Sequence, residues 1–435
     1  MLDELRDAAA RQRNVRALRA LVLGSQRLLS EGGEMNGMAV ARELIERLDT
    51  IADAPLDGYF DYLSRDLSPD PHEVLRRAQA YADQPGAGPL IALTQAVEPP
   101  RQELLRRINR MPGGTASVLR LRRALLRRLP QRPELRGLES DLLHLLSSWF
   151  NPGFLQMKRV DWNSPAQLLE KIIRHEAVHA IDGWDDLRRR LQPDRRCFAF
   201  FHPQLPGEPL IFVEVALLPE MPAAISPLID KASTPLPPDR FRVAAFYSIS
   251  NCEPGLRSVS LGNFLIKQVA EQLKRELPRL KIFCTLSPIP GFAQWLRSAP
   301  DLAALPALRK TSAADLQAAL ATLIAASGGD LGALQGAALH ERLEAPAEAA
   351  LLTLAAAYLT HVSPTADGDP VARFHLDNGA RLERLNPRGN MSAPGLKQSF
   401  GMMVNYRYDL DRIESSHDLF RQGQVARSRA VAGLL

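Results

Sequence analysis

The chain has 435 residues, more than one ordinary domain uses and enough for two or three, each with a real core. No apolar run approaches the roughly 18 residues that span a bilayer. Three cysteines, Cys197, Cys252 and Cys284, without a CxxC pair form neither a disulfide framework nor a zinc cage. The net charge of +5, from 54 basic and 49 acidic side chains, is modest, and the start MLDELRDAAARQRN has no apolar stretch of signal type; the expectation is a cytoplasmic protein with no membrane span.

From the start to about Phe150, leucine, alanine and arginine dominate, strand-like alternation is absent, and prolines punctuate at Pro55, Pro69 and Pro85 to Pro89. This pattern predicts a helical bundle. Within it, Arg101 to Arg136 is densely arginine-rich. A basic face for nucleic acid or phosphate is one reading. However, Leu119, Leu121, Leu125, Leu126 and Leu129 recur at near-helical intervals and no aromatic residue interleaves for base stacking. That favours a solvated or subunit-facing helix and no nucleic-acid partner.

The segment SSWFNPGFLQMKRVDWNSP breaks the pattern at Asn151-Pro152-Gly153, which places a domain boundary there, with residues 1–151 before it and 152–435 after it. Ser164-Pro165 then opens a helical stripe of Leu168, Leu169, Ile172 and Ile173 that leads into HEAVH, His175 to His179. In the HExxH pattern two histidines on one helix face share a zinc ion and the glutamate acts as general base. The third ligand is missing here. The metzincin form needs glycine and histidine where Asp182 and Asp185 stand, and the longer form needs a glutamate on a second helix, whereas RRCFAFFHPQLPGEPLIFVEVALL reads as two strands around a turn. A helix packed by its histidine edge, with no metal, is the favoured reading.

Beyond this helix the character becomes mixed. CFAFFH and LIFVEVALL flank LPGEP as a hairpin, RFRVAAFYSIS (Arg240 to Ser250) reads as a central strand, and Leu261, Leu265, Val269, Leu273 and Leu277 make an i, i+4 stripe before the next strand, KIFCTLSP. Strand, loop, helix, strand is a βαβ-type unit whose ligands gather at the strand ends and the helix start. Each cysteine lies in or beside a predicted strand, where a small buried thiol is expected. From Ser298 to about Leu359 alanine and leucine return as a helical insertion with an SGGD break; VARFHLDNGARLERLNPRG and FGMMVNYRYDL then read as a short strand, a turn and a polar-aromatic segment.

The loop NCEPGLRSVSLGNFLIK carries the first chemical constellation. An acyl-CoA pyrophosphate needs free backbone N–H groups at a helix N-terminus, small residues and a nearby cation. Arg257, Ser258, Val259, Ser260, Leu261 and Gly262 have the spacing of the R/Q-x-x-G-x-G/A loop of the GNAT acetyltransferase superfamily, with Ser260 in place of the first glycine. A small-residue N-cap accounts for Ser258 and Ser260 equally well.

Several segments together go beyond a superfamily. RRCFAFFHPQLPGEPLIFVEVAL, AAFYSISNCEPGLRSVSLGNFLIKQV, TLSPIPGFAQWL, ARFHLDNGA and MMVNYRYDL, in that order after a helical N-terminal domain, resemble the malonyl-CoA decarboxylase family. The resemblance implies an α+β fold: an all-helical N-terminal bundle (1–151) that serves oligomerisation, then a GNAT-like α/β catalytic domain (152–435) with a mixed, mostly antiparallel sheet and a helical insertion at about 298–359. It implies that HEAVH lies on a linking helix without a metal role. It also implies a homo-oligomer, dimer or tetramer, that takes malonyl-CoA, with CoA as part of the substrate and no other cofactor.

The implied chemistry is self-consistent. Loss of CO2 from malonyl-CoA leaves a carbanion beside the thioester, whose carbonyl is the electron sink, so neither metal, biotin nor pyridoxal is required. The protein holds the thioester, orients the carboxylate and delivers a proton. The family's catalytic serine and histidine match Ser287 in TLSPIPGF and His375 in ARFHLDNGA, and Tyr408 in NYRY matches a site tyrosine. His375, titrating near neutrality, is the expected proton donor. From the residues alone, Ser287 is a turn residue before Pro288 and His375 a strand histidine. Two other classes stay open: a GNAT-type acyltransferase with an amine acceptor, and a helical interaction protein resting on the arginine-rich segment.

Overall fold

A computed structural model describes residues 2–30, 34–259, 261, 265–306, 308 and 310–435. Its contacts divide the chain into two compact units, one made of 1–156, 201–208 and 253–261, the other of 157–200, 209–252 and 262–435.

In the first unit the described residues form eight α-helices between Leu2 and Trp149, as the leucine and alanine periodicity predicts. Tyr59, Phe60, Leu104, Leu125 and Leu142 are fully buried in its core. The arginine-rich segment, expected to be a solvated or subunit-facing helix, is exposed at Arg110, Arg120, Arg127 and Arg136 but turns other arginines inward. Arg101 is buried and bonds Asp141 at 2.5 Å and the Ser68 hydroxyl at 2.7 Å, and Arg128 is ion-paired with Asp53 and Asp57. Arg122, in the helix Gly114–Arg128, is wholly buried, with Nη2 2.6 Å from Glu139. A guanidinium tolerates burial when its fork of donors finds acceptors, and those acceptors lie far off in sequence, where periodicity does not see them.

The second unit is built on a sheet. Its strands are β1 (Gln156–Val160), β2 (Arg195–Phe201), β3 (Pro209–Leu218), β4 (Val243–Asn251), β5 (Ile282–Thr285), β6 (Ser287–Pro288), β7 (Arg381–Asn386) and β8 (Met403–Tyr408). They lie in the order β1-β2-β3-β4-β5-β8-β6, with β7 also on β8. The β4–β5 pair is parallel, while β3–β4, β5–β8, β6–β8 and β7–β8 are antiparallel. The α+β class and the mixed, mostly antiparallel sheet therefore hold, and β4, predicted as central, is flanked on both sides. Between β4 and β5 runs the helix Leu265–Glu276, which buries Leu265, Val269 and Leu273 of the expected stripe. The helices Lys310–Ala326 and Ala345–Ala357 occupy the alanine-rich region, and all three cysteines are buried and outside any disulfide. No helix among the described residues is long and apolar enough to cross a membrane.

Two expectations fail locally. VARFHLD is a helix, Pro370–Asp377, and the strand begins only at Arg381. Asp369 caps that helix, its Oδ1 accepting the N–H groups of Val371 and Ala372 at 3.0 Å, a Ser/Asp-before-Pro start that the strand reading overlooked. HEAVH is not helical: its helix, Ala166–His175, stops at the first histidine, so His175 and His179 do not share a helix face. The break is made by Glu176, whose carboxylate accepts the N–H groups of Val178 and His179, both at 2.8 Å, and the hydroxyls of Ser248 and Ser250. That glutamate ties a bend to β4 and has no acceptor capacity to spare. Burial holds the His179 imidazole neutral, its pKa lowered to about 4.

Candidate active site

The site grows from strand alternation. Cys284 on β5 and Leu286, between β5 and β6, join the core cluster with Ala245, Tyr247 and Met403. Side chains alternate along a strand, so Thr285 and Ser287 share the opposite face. On β8 the same rule sets Tyr406 and Tyr408 apart from Met403. The helix Pro370–Asp377 delivers His375 to this second face. Ser287 Oγ lies 3.0 Å from His375 Nε2, and His375 Nδ1 lies 2.8 Å from Tyr408 Oη. Ser287, His375 and Tyr408, 5%, 4% and 3% exposed, are thus brought together as one buried chain although they are far apart in sequence.

Four further residues complete the arrangement and went unnoticed in the sequence. Tyr406 stacks on the imidazole, centroids 4.7 Å apart at 27°. Thr285 Oγ1 accepts the Ser287 hydroxyl at 2.8 Å and the Tyr406 N–H at 3.2 Å, while Asn405 Nδ2 donates to the Thr285 carbonyl at 2.8 Å. Asp369, besides capping the His375 helix, accepts the Gly291 N–H at 2.9 Å through Oδ2, joining that helix to the SPIPG segment that follows Ser287. Gly291 leaves room for the Tyr358 hydroxyl, which a Cβ there would meet at 2.2 Å. Of the four, only Asp369 left a local signal, the Asp-Pro helix start.

Burial sets the protonation states. It drives the His375 pKa from 6.5 down to about 3, so the imidazole is neutral and does not titrate near neutrality as expected. The ring is desolvated: it stacks on Tyr406 and bonds two neutral hydroxyls, those of Ser287 and Tyr408. Burial likewise pushes the phenols of Tyr406 and Tyr408 well above their ordinary value, so both keep their protons. The Asp369 carboxyl is raised by burial, against the lowering effect of its three backbone donors.

The predicted phosphate loop belongs to the first unit as far as Leu261. Arg257 and Ser258 are exposed, and Ser258 takes a left-handed φ of 65°; Val259 and Leu261 are buried, while Ser260 and Gly262 lie outside the described residues. Two loop amides are already engaged, Arg257 N–H with the Pro254 carbonyl and Val259 N–H with that of Leu256. The loop is held by the buried Arg122, which donates to the carbonyls of Gly255 at 2.6 Å and Arg257 at 2.8 Å. At Gly255 a Cβ would come within 2.7 Å of the Leu119 carbonyl, so the loop and the helix Gly114–Arg128 approach backbone to backbone.

A protein-family model described as the malonyl-CoA decarboxylase C-terminal domain matches residues 153–435, and one described as the N-terminal domain of the same enzyme matches residues 67–150. The chain belongs to the malonyl-CoA decarboxylase family. Among curated relatives of this family, the mitochondrial malonyl-CoA decarboxylase of Mus musculus is 36% identical over 326 residues, which cover 70% of this chain and 64% of the mouse protein. That of Rattus norvegicus is 37% identical over 319 residues with the same shares. The chain thus spans about 64% of the length of these relatives. The crystal structure of malonyl-CoA decarboxylase from Rhodopseudomonas palustris matches with a TM-score of 0.83 at 44% identity, covering 96% of this chain and 99% of that one. The enzyme from Agrobacterium vitis gives 0.82 at 44% identity, over 95% and 99%.

Proposed function

We propose that the chain decarboxylates malonyl-CoA to acetyl-CoA and CO2. The observation that carries this reading is the buried Ser287–His375–Tyr408 chain, set within the region matched by the family's C-terminal domain model. The bond between the α-carbon and the carboxylate breaks, its electron pair passes into the thioester carbonyl, CO2 leaves and the α-carbon takes up one proton. Ser287 donates its hydroxyl to the carboxylate or to the enolate oxygen, a preorganised dipole where charge develops. His375 supplies the proton. In the free protein its ring is neutral, so the acid forms in the complex: a substrate carboxylate brought against a desolvated imidazole favours the imidazolium. Tyr408 holds Nδ1 and thereby the ring's orientation. Arg257, with Ser258 to Gly262, meets the CoA phosphates. The thioester serves as its own electron sink, and no metal or further cofactor takes part.

Incubation with malonyl-CoA alone tests this. Acetyl-CoA and CO2 form in equal amounts without an acceptor; consumption of the thioester only when an amine is added would favour the GNAT-type acyltransferase. The chain is further proposed to be a homo-oligomer, dimer or tetramer, assembled through its N-terminal helices. Support comes from the helices Pro71–Asp83 and Ala87–Val97, which bury no residue and leave Leu75, Leu90 and Ile91 exposed. Light scattering of the purified protein gives the subunit number, and a monomer at micromolar concentration would end this part. The reading also keeps a cytoplasmic setting, supported by three cysteines outside any disulfide, which cell fractionation tests.

A further inference from the structure

We infer that Thr285 is a positioning residue that sets the direction of the hydrogen-bond chain through Ser287 and His375, and so the tautomer of the imidazole; the consequence for turnover rests on the proposed decarboxylation.

The sheet has a gap opposite β8. β8 pairs Tyr408 with Phe283 and Arg407 with Cys284, then Val404 with Ser287 and Met403 with Pro288. The register is the same on both sides, and Thr285 and Leu286 fall between. At the gap, side chains replace ladder bonds: the Tyr406 N–H goes to Thr285 Oγ1 instead of a carbonyl, and the Thr285 carbonyl takes the Asn405 amide. Leu286 N–H turns to Phe246 of β4 at 2.9 Å. Opening the ladder in this way holds a threonine hydroxyl beside the serine two residues on.

A proton count follows. A serine hydroxyl has one proton, and Ser287 donates it to Thr285 at 2.8 Å. In the 3.0 Å contact between Ser287 Oγ and His375 Nε2, the imidazole is therefore the donor. A neutral ring carries one N–H, so Nδ1 is the acceptor and the Tyr408 hydroxyl donates to it at 2.8 Å. The order of donation is Tyr408, His375, Ser287, Thr285. When an anionic carboxylate arrives, the Ser287 proton turns from Thr285 to the substrate while the His375–Ser287 bond stays intact, and the second proton that makes the ring an acid enters at Nδ1, where the Tyr408 hydroxyl becomes the acceptor. Without Thr285 Oγ1, the serine proton turns onto His375 Nε2, the ring takes the Nδ1–H form, and serving the substrate breaks the pair's own bond.

The test uses the full chain labelled with 15N-histidine, with long-range 1H–15N correlation reporting which ring nitrogen of His375 bears the proton; the signals are assigned by their loss in His375→Asn. The wild type shows Nε2–H and a bare Nδ1. Thr285→Val moves the proton to Nδ1 and lowers kcat about tenfold, the worth of one hydrogen bond, with KM unchanged. Thr285→Ser restores both the tautomer and most of kcat. A wild-type ring protonated at Nδ1 overturns the inference whether or not Thr285→Val folds, as does a Thr285→Ser variant as impaired as Thr285→Val. If the wild type fails to turn over malonyl-CoA, the functional reading falls while the tautomer result stands on its own.

Discussion

The Ser287–His375–Tyr408 chain and the Arg257–Val259 stretch of the loop contrast in every physical respect. The first is nearly inaccessible and its polar groups face one another; the second keeps Arg257 and Ser258 exposed and has its backbone gripped by Arg122. A buried chain fixes protonation states and the direction of dipoles, which suits the bond-breaking step. An exposed cation on a pinned loop suits capture of an anion, and its attraction is screened by salt. If the two regions have these separate roles, substitutions in the first change kcat and substitutions in the second change CoA affinity.

The largest effects fall on the buried chain. Ser287→Ala is expected to slow turnover about a hundred- to a thousandfold, as loss of an oxyanion-type donor does. Combined with His375→Asn it is expected to be little worse than the worse single variant, because both groups act on one transition state. Steady-state kinetics of the three variants decide this, and multiplicative losses would mean that the two act independently. Next comes the grip on the loop. Arg122→Leu strips Glu139 of its partner and frees two carbonyls, and is expected to cost about 3 to 5 kcal/mol of stability and to weaken CoA binding while kcat at saturation holds. Denaturation and calorimetry check it; a kcat loss without an affinity loss would contradict the division of roles.

Arg257→Ala is expected to raise the Kd for CoA about ten- to a hundredfold by removing a charge-assisted bond, with a flatter dependence on salt than the wild type. An unchanged Kd places CoA elsewhere. The smallest effect is that of pH. With His375 held at about 3, kcat/KM should show no inflection near 6.5 that disappears in His375→Asn. Stability should respond instead. The ring is lowered on folding, so below 6.5 the unfolded chain binds the proton the folded chain refuses, and stability falls as pH drops from 6.5 toward 3. His375→Asn should flatten that part of the curve.

The same contrast explains what was legible in the sequence. The helical N-terminal region, β4, the Leu265–Glu276 helix and its stripe follow from local periodicity. Ser287 and His375 stand 88 residues apart, and only the family resemblance pointed to them as a pair. The His375 helix was hidden because it has eight residues, too few for a clear period, and its start rests on Asp369. HEAVH misled for the opposite reason: a local pattern fits a helix that Glu176 breaks with partners on β4. Arg122 looked like surface because its acceptors, Gly255 and Arg257, lie 133 and 135 residues on. Thr285, Asn405 and Tyr406 matter through a gap in strand pairing, which exists only once the sheet has formed.

The central claim is that the buried chain performs the chemistry and not the capture of CoA, and one variant tests it most directly. In His375→Asn, which keeps the size and one hydrogen bond but removes the acid, malonyl-CoA turnover is measured beside the Kd for CoA. A fall in kcat of about a hundred- to ten-thousandfold is expected, with CoA affinity within about twofold of the wild type. Near-full turnover in that variant would contradict it and move the proton source to Tyr408.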